Sequence, residues 1–345
     1  MTTAPQVTYD RQIAAWLILC AGVIFGMILL GGVTRLTNSG LSMVEWKPLM
    51  GVIPPLGEQA WLETFEKYKQ YPEYQKVNMG MDLAGFKYIF MYEYLHRVLG
   101  RLIGVLYLLP LLFFLFKGRV RPGLAPKLWL LFFMGGLQGL LGWYMVKSGL
   151  VDRPDVSQYR LTAHLGLAMA IYAYMLWVAF DLLFPRGSTY RAAAAPFAGW
   201  SLGLVLLVYL MILSGGLVAG TDAGFSYPTW PLMGPSFIPD GLYATAPAWL
   251  AAFEDVTTIQ FNHRMLAYAL FVLANLFALL VLRSEARGRS RPAAVLLMLA
   301  LLLQVVLGIS TLLSHVAVPV AAAHQGGAVL LLTAMVFLSH VLVRQ

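Results

Sequence analysis

The sequence predicts an all-α integral membrane protein whose eight transmembrane helices form two pseudo-symmetric four-helix bundles. Composition is the first reason: of 345 residues, 59% are hydrophobic and 12% are charged, whereas soluble domains carry about 25% charged residues. The second reason is that the apolar residues come in long runs. The third is that the second half of the chain repeats landmarks of the first.

Eight apolar runs approach or exceed the length of about 20 residues that a helix needs to cross a bilayer. They cover residues 13–33, 88–116, 128–146, 161–184, 196–219, 258–283, 292–313 and 321–343. Because lipid offers no hydrogen-bond partners to the backbone, these runs must be helical. The first run lacks a small-residue cleavage site, so we expect a retained helix rather than a signal peptide.

The short loops between these runs are basic, and in an alternating topology they share one membrane face. Their basic residues are Lys117, Arg119, Arg121, Lys127, Arg186, Arg191, Arg283, Arg287, Arg289 and Arg291. The positive-inside rule makes that face cytoplasmic, together with both termini, and turns the longer loops at 34–87 and 220–257 outward. The net charge of +8 therefore indicates membrane orientation and not nucleic-acid binding.

The internal repeat is clearest after the first and fifth runs. GGVTRLTNSGLSMVEW begins at Gly31, and GGLVAGTDAGFSYPTW begins 184 residues later at Gly215. LQGLLG from Leu137 is repeated as LQVVLG from Leu303. Each half, residues 1–190 and 191–345, holds an even number of helices. The halves should therefore be related by an axis along the membrane normal.

Four of the six histidines occupy repeated positions near the predicted outer ends of the even-numbered helices: His96, His164, His263 and His324. Two imidazoles at equal depth on neighbouring helices suit the axial ligation of a haem iron. The alternative is a set of hydrogen-bonded core residues or a proton relay. Structural zinc would need four ligands at each site. His315 and His340 have no repeat partners, and we interpret both as structural.

The two halves differ three residues before the first histidine of each pair, where Glu93 corresponds to Gln260. A carboxylate near a haem edge could accept a proton or stabilise a developing cation. The alternative is that Glu93 simply pairs with Arg97, one turn further on. Arg97 and Arg264 recur at equivalent positions, where they could bind haem propionates or extend to lipid phosphates.

The outer loops are rich in aromatic residues. Residues 58–77 mix aromatic and charged side chains in a way that suits a helix lying on the outer leaflet, where it could also shield the first haem. The alternative is an ordinary helix of an extracytoplasmic loop. Trp46, Trp61 and Trp230 are interpreted as interfacial anchors, with haem contact as the alternative.

These motifs resemble the haem A synthase family in its mitochondrial and alphaproteobacterial branch, over nearly the whole chain. The matching segments are GGVTRLTNSGLSMVEWKP, EYLHRVLGR from Glu93, TAHLG from Thr162, NHRMLA from Asn262 and AHQGG from Ala323. The resemblance implies oxidation of the C8 methyl of haem O to a formyl through a hydroxymethyl intermediate. The product, haem A, serves haem–copper oxidases such as cytochrome c oxidase. Other branches carry a cysteine pair in the outer loops, whereas this chain has only Cys20, in the first run.

The resemblance also implies roles for individual residues. His96 and His164 match the catalytic pair that holds haem O and haem A, His263 and His324 match the pair that holds haem b, and Glu93 matches a catalytic glutamate. Implied partners are the haem O synthase and assembly factors of cytochrome c oxidase, in a bacterial inner membrane. A homo-oligomer and the identity of the electron acceptor stay open.

A bis-histidine dihaem electron-transfer cytochrome is the main alternative function, and a haem carrier without chemistry is the second. The cytochrome does not account for the difference between Glu93 and Gln260, and it would place its haems near opposite membrane faces. The carrier would call for a pair of short, broken helices at the midplane, and the sequence shows no such pair. Two histidines on one iron leave no open position for an oxidant. Either electrons are withdrawn from a fully ligated haem, or one histidine dissociates, and the sequence does not choose between these.

Overall fold

A computed structural model describes residues 4–45, 53–150, 156–184 and 190–344. Its α-helices are α1 (Ala4–Leu36), α2 (Glu58–Tyr68), α3 (Pro72–Lys76), α4 (Leu83–Phe116), α5 (Ala125–Gly149), α6 (Gln158–Leu183), α7 (Arg191–Gly220), α8 (Ala248–Glu254), α9 (Val256–Arg283), α10 (Ser290–Leu313) and α11 (Val318–Arg344). A short 3-10 helix covers Ala223–Phe225. Trp46 and Arg186 lie outside the described residues.

Eight of these helices are long and apolar enough to cross a membrane: α1, α4, α5, α6, α7, α9, α10 and α11. The predicted all-helical membrane fold is thus confirmed. Most helices extend beyond the apolar runs, and at the starts of α4 and α9 a polar cap sets the boundary. Asp82 caps α4 by accepting from the backbone N–H of Gly85 at 2.8 Å, and Asp255 caps α9 by accepting from that of Thr258 at 2.7 Å.

The spanning helices pack in a pattern that fits two related halves. Helices α1, α6, α7 and α11 pack against one another at the centre. In the first half α4 packs on α1 and α5 on α6, and in the second half α9 packs on α7 and α10 on α11. The face that carries α2, α3 and α8 is called the long-loop side below, and the opposite face the short-loop side.

Two glycines allow the halves to approach closely across this centre. A Cβ on Gly32 of α1 would lie 1.8 Å from the Oε1 atom of Gln325 on α11, and one on Gly216 of α7 would lie 2.9 Å from the Thr162 hydroxyl on α6. Gln325 also donates to the backbone carbonyl of Ile28 at 2.9 Å. Each glycine therefore faces the last spanning helix of the other half.

The segment 58–77 differs from its prediction as one helix on the lipid surface. It forms two helices, α2 and α3, the second beginning at Pro72. The rings of Phe65 and Tyr68 stack on Phe86 of α4, with centroids 4.9 and 5.1 Å apart. Burial raises the pKa of the Tyr68 phenol. The apolar face of this segment is thus covered by α4, because α4 extends a further turn beyond its apolar run.

The two unrepeated histidines have different surroundings. His340 is fully buried near the short-loop side, and its Nε2 lies 3.1 Å from Asp181 Oδ1. The same carboxylate pairs with Lys127 at 3.3 Å and with Arg344 at 2.8 Å. His340 is therefore part of an ionic cluster that joins α6, α11 and the start of α5. His315 lies exposed in the turn between α10 and α11.

Candidate functional site

The four repeated histidines lie in the half of their helices nearer the long-loop side, on α4, α6, α9 and α11. His96 and His164 lie within electrostatic reach of each other in the first half, and so do His263 and His324 in the second. The structure therefore brings the predicted residues together as two pairs.

Each imidazole packs against a glycine of the preceding spanning helix. The distance from an ideal glycine Cβ to the imidazole Cε1 would be 3.4 Å for Gly31 and His96, 3.0 Å for Gly142 and His164, 3.4 Å for Gly215 and His263, and 2.9 Å for Gly308 and His324. All four glycines lie within the repeated motifs. A methyl group at Gly142 or Gly308 would press on the ring, whereas one at Gly31 or Gly215 would only touch it. The glycines of α5 and α10 therefore leave room for His164 and His324.

Unsatisfied ring nitrogens mark three of these histidines. His96 Nε2, His164 Nδ1 and His324 Nδ1 are buried and have no hydrogen-bond partner in the described part of the chain. Buried polar atoms are normally hydrogen-bonded, so each exception needs an explanation. A neutral imidazole nitrogen is a haem iron ligand. The residues present therefore fit a haem in each half.

His263 differs from its counterpart because a serine orients it. Ser214 Oγ lies 3.0 Å from His263 Nδ1, which leaves Nε2 as the nitrogen for a metal. Such partners of a ligating histidine fix its tautomer and ring orientation. The residue at the repeated position in the first half is Leu30, so His96 lacks this support. Sequence reasoning missed Ser214, although the aligned repeats show the difference.

Glu93 is buried and both of its carboxylate oxygens are engaged. Oε2 accepts from the Ser42 hydroxyl at 2.8 Å and from the backbone N–H of Met43 at 2.7 Å, and Oε1 accepts from Arg97 at 2.5 Å. Arg97 also donates to the Met43 carbonyl at 2.8 Å. The carboxylate and the guanidinium together hold the start of the first long loop over α4.

The second half has a related clamp without the charge pair. Arg264 donates to the carbonyls of Tyr227 at 2.7 Å and Leu232 at 3.2 Å, and Gln260 donates to that of Tyr227 at 3.3 Å. The Nε atom of Arg264 is buried without a partner among the described residues. Arg97 and Arg264 thus both bind loop carbonyls beside the histidine pairs, which their sequence spacing alone did not indicate.

Replacing Gly142 with alanine is expected to weaken haem binding in the first half about tenfold, since the new methyl would displace His164, and outer-shell changes cost 10–100-fold in affinity. Gly139→Ala on the same helix is the matched control, because nothing lies within 4 Å of its Cβ position. Haem titration followed by absorbance measures both variants. Equal haem affinity in the two variants would contradict the packing argument.

Comparison with known proteins identifies the family of this chain. The model of the family described as cytochrome oxidase assembly protein, COX15-CtaA, matches residues 14–336. A protein named Heme A synthase from Nitrosospira multiformis is 51% identical over 350 residues, covering 100% of this chain and 98% of the relative. Proteins of the same name from Paramagnetospirillum magneticum and Nitrosomonas eutropha are 50% and 48% identical, covering 97% and 93% of this chain and 95% and 91% of the relatives.

The match spans the four histidines, both long loops and all eight spanning helices. It agrees with the membrane fold of eight spanning helices. The chain is therefore a multi-pass inner-membrane protein that belongs to the haem A synthase family of enzymes.

Proposed function

We propose that this protein is an oxidoreductase that converts haem O to haem A by oxidising the C8 methyl of the ring to a formyl. The observation that carries the proposal is a duplicated histidine site whose two copies have diverged. The first copy has a buried carboxylate, Glu93, and an untethered histidine, His96. The second copy has an amide, Gln260, and a histidine held by Ser214. Such divergence suits one reacting site and one permanent site.

In this proposal the C-terminal half, residues 191–345, holds a permanent haem b. His263 and His324 would hold it, and the haem would supply a redox-active iron when bound. Ser214 engages Nδ1 of His263, which would leave Nε2 to bind the iron. Arg264, beside His263, has a buried Nε–H without a partner in the described chain, which is available to a propionate.

The N-terminal half, residues 1–190, holds the substrate haem O and then the product haem A, with His96 and His164 as ligands. Glu93 provides negative charge one turn from His96, where it can take the proton lost as the methyl is oxidised, or stabilise positive charge on the ring. Ser42 and the backbone N–H of Met43 hold this carboxylate in place. Arg97 binds Glu93 and the loop carbonyl of Met43 beside this site, and its positive charge would favour a haem propionate there.

The proposal includes a cellular setting. The long-loop side faces outward and both termini are cytoplasmic, because the short loops are basic. Haem O arrives from a haem O synthase, and haem A leaves to assembly factors of cytochrome c oxidase.

The test is acid–acetone extraction of the purified protein, followed by chromatography and mass spectrometry of its haems. We expect haem B together with haem O, its hydroxylated form or haem A. Haem B alone, at two per chain in cells that make haem O, would instead establish the bis-histidine electron-transfer cytochrome.

A further inference from the structure

A cavity of about 460 Å³ lies between α6 and α7, at the boundary of the two halves. Its apolar wall includes Leu210, Leu213 and Leu217, and Phe253 of α8 lines it from the long-loop side. Gln158 holds α8 there by donating to the carbonyl of Phe253 at 3.3 Å. The exposed side chain of Leu210 marks where the cavity meets lipid.

Four hydroxyl side chains also line this cavity: Tyr159 and Thr162 on α6, and Tyr209 and Ser214 on α7. The repeat places a second, related groove between α11 and α1. Gly166 on α6 approaches Leu213 and Tyr209, and its counterpart Gly326 on α11 approaches Leu29 and Phe25 in the same way. The two helix pairs therefore make equivalent contacts at this glycine.

The related groove has none of these hydroxyls. The repeated positions of Tyr159, Thr162, Tyr209 and Ser214 are occupied by Pro319, Ala322, Phe25 and Leu30. The repeat relates α6 to α11 and α7 to α1. Helix packing alone would therefore favour the same kinds of residue in both grooves. The hydroxyls are thus a property of this one cavity.

Three of the four hydroxyls are available to a ligand. Thr162 Oγ1 is buried and has no hydrogen-bond partner in the described chain, and no described side chain or carbonyl accepts from Tyr209. If His263 binds iron through Nε2, its Nδ1 carries a proton and donates to Ser214 Oγ. The Ser214 hydroxyl proton then stays free to donate. Tyr159 is the exception, because it donates to Glu254.

We propose that this cavity binds the headgroup of a lipid-soluble quinone. A quinone ring is flat and apolar and has two carbonyl oxygens, which can accept from donors on both walls, and its isoprenoid tail can leave between the helices into lipid. The volume falls in the range of about 300–1,000 Å³ that is usual for small-molecule sites. A lipid acyl chain has no acceptor and would leave the donors unsatisfied. The inference rests on the proposed function, in which oxidation requires an electron acceptor and His263 binds haem iron.

The test uses the haem-loaded full-length protein in nanodiscs and decylubiquinone as the probe. The double variant Thr162→Ala, Tyr209→Phe carries the residues of the related groove. We expect it to bind about tenfold more weakly or worse, since two hydrogen bonds are lost, with the haem spectrum unchanged. Tyr172→Phe is the matched control on α6, because the Tyr172 hydroxyl pairs with Thr333 at 2.8 Å, away from the cavity. Its quinone affinity should stay at the wild-type value.

Photo-crosslinking with an azido-quinone locates the probe directly. Labelling of α6 and α7 peptides, lost in the double variant, supports the site. Equal affinity in the double variant and the control, labelling elsewhere, or equal displacement of the probe by acyl lipid would overturn it. Extraction of haem B alone, with quinone still bound between α6 and α7, would instead reject the synthase activity and retain the quinone site.

Discussion

His263→Ala is expected to remove the C-terminal haem and to reduce the total haem content of the purified protein to about half. The substitution deletes one of the two histidines that would hold this haem, and no other described side chain replaces it, since Ser214 is a hydrogen-bond partner and not a nitrogen donor. His96→Ala is expected to lose the haem O and haem A fraction and to retain haem B. The two variants therefore separate the two sites.

The measurement is pyridine haemochrome quantification together with chromatography of the extracted haems. His315→Asn is the control, because His315 is an exposed histidine of the long-loop side, and asparagine tolerates its positive φ of 52°. The control should keep full haem content. If His263→Ala retained all of its haem B, the assignment of this histidine as a permanent ligand would be wrong.

Glu93→Gln is expected to lower the rate of haem A formation by about a hundredfold or more, because the amide can neither take a proton nor offset positive charge. Its haem O content should stay normal or rise, since the ligands are unchanged. Gln is also the residue of the related site, so the variant tests whether this one difference separates the reacting copy from the other. The reciprocal change, Gln260→Glu, is the control and should not reduce haem A formation to a similar degree.

The substitution also removes the charge that pairs with Arg97, whose side chain is 10% exposed. Breaking a buried ion pair can cost about 3–5 kcal/mol of stability, so thermal unfolding must be measured beside activity. A lower melting temperature with full haem A formation per folded protein would assign Glu93 to the loop clamp alone. A large loss of rate in protein that is folded and loaded with haem O supports the chemical role.

Much of the fold could be predicted because membrane helices depend on one dominant property, the length of an apolar run. The repeat then predicted which histidines lie at equal depth. The packing of the histidine rings against glycines was not predicted, although Gly31 and Gly215 begin the quoted motifs. Which side chain contacts a glycine depends on the tertiary structure and cannot be read from the motif. The pairing of Arg97 with Glu93 was one of the predicted alternatives and is present in the structure. The loop carbonyls that Arg97 also binds were missed, since backbone carbonyls carry no sequence signal.

The position of the segment 58–77 could not be predicted from the sequence either. Its aromatic and charged residues suit a lipid surface and a protein surface equally well. Phe86 and Phe90 in the first turns of α4 provide the protein surface. Phe86 belongs to this helix only because α4 begins several residues before its apolar run. The cap at Asp82 sets that start, and a hydropathy window does not detect it.

The crossed contacts of Gly32 and Gly216 give the centre of the molecule the form of an isologous dimer interface, in which the same patch is used twice. In a true homodimer every substitution appears on both sides of the axis at once. A single fused chain is free of this constraint, so one copy of the interface can change while the other is kept. A homodimer could not hold the differences between Tyr209 and Phe25, Ser214 and Leu30, and Glu93 and Gln260. Gene fusion thus explains how a symmetric scaffold acquired one site that keeps its haem and another that transforms it.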